Sequence, residues 1–153
     1  MATKSKSSGT KSTSKGVAKA SAAAVVPQLF RATLEVSHLE RARAFYEALL
    51  GIAGRKLSGT RVQFDCGSAV LELADVSASG PSNPSAGPMY FSVPSLEAVH
   101  KRAKKLKCLS IQLVHEKPGG TMVVRPSGER TFYADDPWFN GLCFVEAGAG
   151  DKA

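Results

Sequence analysis

Thiol and imidazole side chains supply most nucleophiles and transition-metal ligands in proteins, and this chain carries three of each. They are Cys66, Cys108, Cys143, His38, His100 and His115. The cysteines have neither the paired spacing of a disulfide framework nor the C-x-x-C spacing of a zinc site. The histidines fall at a helix start, on a helix face and in a loop, which predicts surface positions. These six residues therefore do not by themselves predict a metal centre.

The elements that would position reactive side chains follow from an internal repeat. The segment Arg31–Leu50 recurs as Pro88–Lys107 at a constant offset of 57 positions. Each copy begins with alternating apolar residues, which is typical of a strand. The apolar residues then change to the spacing of an amphipathic helix. The repeat predicts two related modules in one domain.

The ends of the two helices also have sequence signals. Ser37 and Glu40 have the spacing of a capping box, which predicts that the first helix begins there. Gly51 is predicted to end this helix. Ser95, or the preceding Pro94, is predicted to open the second helix.

Shorter strands are predicted after each helix, so that each half reads strand, helix and up to three strands. Gly67 and Ser68 are predicted to form a tight turn between two of them. The second half is longer, which indicates an insertion over Glu116–Gly128, a segment containing glycine and proline. The predicted strands are Thr60–Cys66, Ala69–Asp75, Leu109–Val114, Arg130–Asp135 and Leu142–Glu146.

Two motifs resemble those of a known family. The first helix ends in Phe-Tyr-x-x-x-Leu-Gly at residues 45–51, and an Asp-Pro corner at residues 136–141 precedes the last strand. Both resemble the vicinal oxygen chelate superfamily, which includes glyoxalase I, extradiol dioxygenases and bleomycin-resistance proteins. The resemblance implies an α+β fold in which paired βαβββ modules form a curved sheet with a concave cup and with helices on the outer face. The implied domain is 29–147, with modules at about 29–76 and 87–147.

Metal-dependent enzymes of this superfamily place one ligand on each of four strands of the cup. The resemblance puts these places at Arg31, Glu72, Pro88 and Cys143. An arginine guanidinium offers no lone pair, and proline has no side-chain donor. One carboxylate and one thiol do not make a catalytic divalent site, so no metal and no cofactor are expected. Cys143 is predicted to be a buried structural thiol, because the resemblance to the family places no histidine beside it.

Strand alternation predicts which other side chains face the cup. They are polar, which suits a ligand site, although a face that is merely solvated or covered by a second subunit would also explain them. The predicted ligand-binding residues are Arg31, Thr33, Glu35, Arg61, Gln63, Glu72, Tyr90, Ser92 and Cys143, with Asp65 on the same face.

Arg31 and Glu72 are predicted to lie on adjacent strands of one module. They would form an internal ion pair of little net stability. Alternatively, Arg31 would offer a bidentate fork to a ligand carboxylate or phosphate.

The Asp-Pro corner departs from the family pattern, because Phe139 stands where glycine is usual. Asn140 and Gly141 are predicted to supply the positive φ that the turn needs. Trp138 and Phe139 are predicted to cover the sheet edge, with lining of the cup mouth as the alternative.

Residues 1–26 form a basic tail rich in Ser, Lys and Ala, which is predicted to be disordered. Its five lysines carry much of the formal net charge of +7. Weak, salt-sensitive contact with nucleic acid is the most that such a tail predicts. A second group of basic residues follows His100 and is explained by a solvated helix face. A reducing, cytoplasmic location is expected because the cysteines are unpaired and no segment is apolar enough to span a membrane; an organellar location would apply if the tail were a transit peptide.

These observations leave more than one function open. The first is a metal-free small-molecule-binding protein, in which the cup holds a polar or aromatic ligand without transforming it. The alternative is a lyase, isomerase or dioxygenase-like enzyme with a rearranged metal site, which would require Glu35, Asp65 and Glu72 to converge. A weaker alternative is an interaction protein that uses its basic tail. The resemblance also implies a homodimer.

Overall fold

The computed structural model describes residues 25–148. Most of the tail predicted at residues 1–26 therefore lies outside the described residues. Within the described part, no helix is both long enough and apolar enough to span a membrane.

The first module contains one helix and four strands, all between residues 31 and 75. Its elements are β1 (Arg31–Val36), α1 (Leu39–Leu50), β2 (Arg55–Ser58), β3 (Arg61–Cys66) and β4 (Ala69–Asp75). They form a sheet with the order β1-β4-β3-β2, in which β1 and β4 are parallel. The sequence did not predict β2, because all four of its residues are exposed and show no apolar alternation.

The second module repeats this topology with additions. Its elements are β5 (Met89–Val93), α2 (Leu96–Lys105), β6 (Leu113–Val114), β7 (Lys117–Pro118), β8 (Val123–Val124), β9 (Arg130–Asp135) and β10 (Gly141–Glu146). The main sheet has the order β5-β10-β9-β8, and β6 pairs with β7 in a separate hairpin. The predicted strand Leu109–Val114 is wrong over most of its length, because Leu109 forms only an isolated bridge with Ala134. The predicted insertion contains β7 and β8.

The apolar core lies between the helices and one face of each sheet. Leu34, Val36, Phe64, Leu71 and Leu73 from the first sheet are almost fully buried there. The second sheet adds Phe132, Ala134, Leu142 and Phe144, and the helices add Leu39, Ala42, Tyr46, Leu49, Leu96, Val99 and Ala103. The predicted α+β class with paired βαβββ modules is confirmed. The strands are divided between two hydrogen-bonded sheets, and alternation leaves the opposite, concave face of each sheet to the remaining side chains.

The start of α1 differs from the predicted capping box. The N-cap residue is His38, which has a left-handed backbone (φ 57°) and makes no capping hydrogen bond through its side chain. Asp75 Oδ2, at the end of β4, instead accepts from the backbone N–H of Leu39 at 3.0 Å. The Asp75 carboxylate, which is distant in the sequence, therefore replaces the local capping groups that Ser37 and Glu40 were expected to provide. The other helix ends are as predicted, with Ser95 at the N-cap of α2 and Gly51 at the C-cap of α1.

The Asp-Pro corner joins the two modules. Asp136 is buried, and its carboxylate accepts from the Tyr46 hydroxyl of α1 at 2.7 Å. Asn140 Nδ2 donates to the backbone carbonyl of Glu35 at 3.0 Å, which ties the same corner to β1. Arg102 of α2 also donates to the carbonyl of Leu49 at 2.9 Å.

The prediction that Asn140 and Gly141 supply the positive φ of the corner is wrong. Phe139 itself has φ 65°, and neither Asn140 nor Gly141 is left-handed. The cause is the Asp136 carboxylate, which accepts from the backbone N–H groups of both Trp138 and Asn140 at 2.8 Å and so fixes the turn around Phe139. Trp138 is buried, as its predicted covering role requires, whereas Phe139 is exposed.

Candidate functional site

The concave face of the first sheet carries three rows of mainly polar side chains. Thr33 pairs with Glu72 across β1 and β4, and Glu72 pairs with Gln63 across β4 and β3. Arg31 and Asp65 lie in the row on one side of this central row. Glu35 and Arg61 lie in the row on its other side. The structure thus brings the predicted residues of this module onto one face, as strand alternation requires.

Glu72 is the centre of this face and is only 3% exposed. Arg31 donates to its Oε2 atom at 3.2 Å and Arg61 donates to its Oε1 atom at 2.5 Å. Gln63 Nε2 also donates to Oε2, at 2.9 Å. These four residues form the Glu72 cluster, which has one carboxylate for two guanidinium groups and hence a formal net charge of +1. The predicted Arg31–Glu72 ion pair is present, and Arg61 is a second partner.

The Glu72 cluster lowers the pKa of the Glu72 carboxyl below its usual value of 4.5. The hydrogen bond from Gln63 is the largest cause, burial opposes it, and the two guanidinium groups lower the pKa further. Because the folded-state pKa is depressed, the carboxylate stabilises the fold at pH values above the unfolded-state pKa. This stabilisation is lost as the pH falls through the folded-state pKa.

We therefore expect the difference in unfolding free energy between the wild type and Glu72→Gln to depend on pH. This difference should be constant above about pH 5.5 and should shrink progressively below the usual glutamate pKa of 4.5. Urea unfolding of both proteins at several pH values measures it. A difference that stays constant down to pH 2.5 would mean that the Glu72 charge does not contribute to stability.

The other two carboxylates of this face have partners of their own. Glu35 Oε2 accepts from both the backbone N–H and the side-chain amide of Asn83, at 2.8 and 2.9 Å. Asp65 accepts from the backbone N–H of Gly67 at 3.1 Å, within the β3–β4 turn. Between residues 25 and 148 there is no group of three His, Cys, Asp or Glu side chains that could hold a metal ion.

The four places implied for metal ligands do not fit a divalent cation. Both carboxylate oxygens of Glu72 are bonded to cationic or amide donors, which would have to be displaced. Arg31 adds a positive charge, and Pro88 offers no donor. Cys143 is fully buried, and burial raises the pKa of its thiol, which disfavours the thiolate that a metal needs. The donor chemistry therefore favours an anionic or polar ligand over a metal.

The concave face of the second sheet is built around Cys143. In the register of the sheet, Cys143 lies between Tyr90 on β5 and Tyr133 on β9. In the next row, Val145 lies between Ser92 and Thr131. Tyr90 and Ser92 are exposed, whereas Thr131 is buried.

Two residues of this face were not predicted from the sequence. Tyr133 lies on the same face as Cys143, and Arg125 reaches it from the loop after β8. The Arg125 guanidinium donates to the Tyr133 hydroxyl, and its Cζ atom lies 5.7 Å from the centroid of the Tyr133 ring. The alternation of the predicted strand Arg130–Asp135 was a sufficient signal for Tyr133. Arg125 lay in the predicted insertion, where no periodicity indicates direction.

One cavity lies where the edge of the first sheet adjoins β5 of the second. Its volume is about 400 Å³, and it lies between β5 and the β1 and β4 ends of the first sheet. Asp65 and Val70 line it from the first module, and Tyr90 and Ser92 from the second. Much of the rest of the wall is apolar, including Leu29, Met89 and Phe91. A volume of this size is in the range of small-molecule sites.

The histidine predictions need one correction. His100 is not simply a surface residue, because its ring packs edge-on against Phe132 at 4.9 Å between centroids. Its Nε2 atom lies 2.9 Å from the carbonyl oxygen of Gly120. His100, which was predicted to be a surface residue, therefore contacts β9 and the insertion.

Comparisons with known proteins agree with this architecture. Residues 28–142 match the family model described as "Glyoxalase/Bleomycin resistance protein/Dioxygenase superfamily". No curated protein is similar enough in sequence to count as a relative. A glyoxalase/bleomycin resistance protein from Albidiferax ferrireducens T118 has a similar structure, with a TM-score of 0.63 and 18% identity over 76% of this chain and 95% of its own.

Two further solved structures bear the names of enzymes. Lactoylglutathione lyase from Agrobacterium tumefaciens has a TM-score of 0.56 and 23% identity, over 80% of this chain and 96% of its own. The oxidase ChaP-H2 has a TM-score of 0.60 and 16% identity, over 82% of this chain and 98% of its own. At these identities the structures share the fold with this chain, and the fold alone does not assign an activity.

Proposed function

Because this chain belongs to the glyoxalase/bleomycin resistance protein/dioxygenase superfamily, we propose that it binds a small organic molecule on its concave face without a metal ion. The observation that carries the proposal is the Glu72 cluster. Both oxygens of the one carboxylate at the implied metal places are bonded to Arg31, Arg61 and Gln63. A pair of guanidinium groups thus stands where a cation would otherwise bind.

The charge and exposure of the cluster favour a ligand with a polar or negatively charged group. The side chains of Arg31 and Arg61 are 44% and 47% exposed, whereas Glu72 is 4% exposed. Each guanidinium has five N–H groups, of which one bonds Glu72, so further donors remain for a ligand. None of the four cluster residues lines the 400 Å³ cavity, whose apolar wall suits the body of an apolar or aromatic ligand.

A rearranged metal enzyme has less support. That function requires Glu35, Asp65 and Glu72 to converge, and each of them instead bonds to different partners. The alternative of an interaction through the basic tail depends on lysines that lie outside the described residues. The homodimer implied by the family stays a prediction, and sedimentation equilibrium would check it as twice the chain mass.

The proposal is tested by a thermal-shift screen of small carboxylic acids, phosphates and neutral aromatics in the presence of EDTA. We expect at least one compound to raise the melting temperature of the wild type and to lose most of this effect in Arg31→Gln and Arg61→Gln. Lys56→Gln is the matched control, because it removes the same charge from an exposed pair with Glu40 outside the Glu72 cluster. Stabilisation that requires a divalent metal, or that is equal in all four proteins, would contradict the proposal.

A further inference from the structure

The insertion of the second module fixes one arginine side chain over the concave face. Arg125 begins a tight turn in which its backbone N–H donates to the carbonyl of Glu129 at 2.8 Å. The Gly128 N–H donates back to the Arg125 carbonyl at 2.8 Å, and Gly128 has the positive φ of 88° that this turn requires. The guanidinium donates to Tyr133 and, from Nε, to Thr131 Oγ1 at 3.4 Å. Backbone and side chain are both held in place.

Arg125 differs from Arg31, Arg43, Arg102 and Arg130 in the partners of its guanidinium group. Arg31, Arg43 and Arg130 each form an ion pair with a carboxylate, and Arg102 bonds backbone carbonyls at the end of α1. Arg125 takes part in none of the ion pairs found within residues 25–148. A partly buried charge without a counter-charge is unfavourable, and a bound anion would compensate it.

The neighbours of Arg125 on the concave face do not supply that counter-charge. Burial raises the pKa of Tyr133 to about 12, so its phenol is neutral at physiological pH. Burial also raises the pKa of the Cys143 thiol, which is therefore neutral as well. The concave-face neighbours of Arg125 are thus neutral hydroxyl and thiol groups, and the guanidinium keeps most of its five donors for a ligand.

A second cavity lies beside Arg125, between the β6–β7 hairpin and the β8–β9 loop. Its volume is about 600 Å³. Lys117 and Arg125 line it with positive charge, Glu129 is its one carboxylate within the described chain, and His115 adds an imidazole. Its formal charge is therefore +1 with neutral histidine. Val123, Val124 and Pro126 give it an apolar wall.

We propose that this cavity is an anion-binding site, in which Arg125 and Lys117 hold a carboxylate or phosphoryl group of a small organic ligand and the valines contact its apolar body. The site is separate from the Glu72 cluster, and it stands or falls independently of the metal-free binding proposed above. The Arg125 guanidinium binds the oxyanion, and its hydrogen bonds to Thr131 and Tyr133 hold it in position.

The test is isothermal titration calorimetry of the full chain with inorganic phosphate and with benzoate, at constant ionic strength. We expect saturable binding of at least one of them, weakened about tenfold or more in Arg125→Gln, as the loss of hydrogen bonds to a charged group implies. Lys101→Gln is the matched control, because it removes one positive charge from the exposed face of α2. The preferred probe distinguishes a carboxylate from a phosphoryl ligand.

The site would be overturned by no saturable binding of either anion by the wild type, by equal affinity in Arg125→Gln, or by equal losses in Arg125→Gln and Lys101→Gln. Binding that is lost in Arg61→Gln but kept in Arg125→Gln would also overturn it, while leaving the proposed function intact. If Arg125→Gln does not fold, Arg125→Lys keeps the positive charge but lacks the planar guanidinium group, and it should still weaken binding.

Discussion

Replacing Asp136 by alanine is expected to lower the free energy of unfolding by about 3–5 kcal/mol, because it leaves several buried donors without an acceptor, each at a cost of about 1–3 kcal/mol. The Asp136 carboxylate is 4% exposed. It accepts hydrogen bonds from the Tyr46 hydroxyl, the N–H groups of Trp138 and Asn140, and the Asn140 side chain. Alanine would leave these donors without an acceptor and would also remove the Tyr46–Asp136 hydrogen bond that links α1 to the second module. Urea unfolding measures the change.

Asp135→Ala is the matched control for this prediction. Asp135 is the adjacent residue of the same type and is only half-buried. Its replacement should change the unfolding free energy by about 0.5 kcal/mol or less. Equal losses in the two variants would show that Asp136 does not have the structural role assigned to it.

Replacing Glu72 by alanine is expected to have the second-largest effect, a loss of about 2–3 kcal/mol. Breaking a fully buried ion pair costs about 3–5 kcal/mol, and the lower value applies because both guanidinium groups are about half exposed to solvent. The loss arises mainly because Arg31 and Arg61 would face each other without the carboxylate between them. Denaturant unfolding at pH 7 measures it.

A double-mutant cycle separates this repulsion from simple packing loss. In an Arg31→Gln background, Glu72→Ala should cost less than in the wild type, because one of the two charges is gone. Glu40→Ala is the surface control, since the Glu40–Lys56 pair is exposed and should contribute about 1 kcal/mol or less. Equal costs of Glu72→Ala in both backgrounds would contradict the electrostatic explanation.

The paired modules could be predicted from sequence because the repeat keeps its apolar spacing over both copies. Strands β3, β4 and β9 lie within about one residue of the predicted bounds, and each has buried residues at alternating or continuous positions. Strand β2 could not be predicted, because its pairing with β3 depends on backbone hydrogen bonds and not on buried side chains. The same holds for the short strands of the insertion, which have only two residues each.

The candidate site was predictable only where strand alternation determines direction. Alternation placed Arg31, Arg61 and Gln63 on the face of Glu72, and the structure adds the distances that make them one cluster. Local signals failed where a distant residue supplied the contact. Asp75 caps α1 from β4, and Asp136 fixes the positive φ of Phe139. Both contacts depend on the tertiary fold and have no signature in the neighbouring sequence.

The most direct test of metal-independent binding is elemental analysis of the purified protein after exposure to Zn, Mn, Fe or Ni and dialysis without chelator. We expect far less than one metal ion per chain, because Arg31 and Pro88 offer no lone pair and the Glu72 oxygens are bonded to Arg31, Arg61 and Gln63. About one metal ion per chain, lost in Glu72→Ala, would contradict metal-independent binding and would indicate a rearranged metal site.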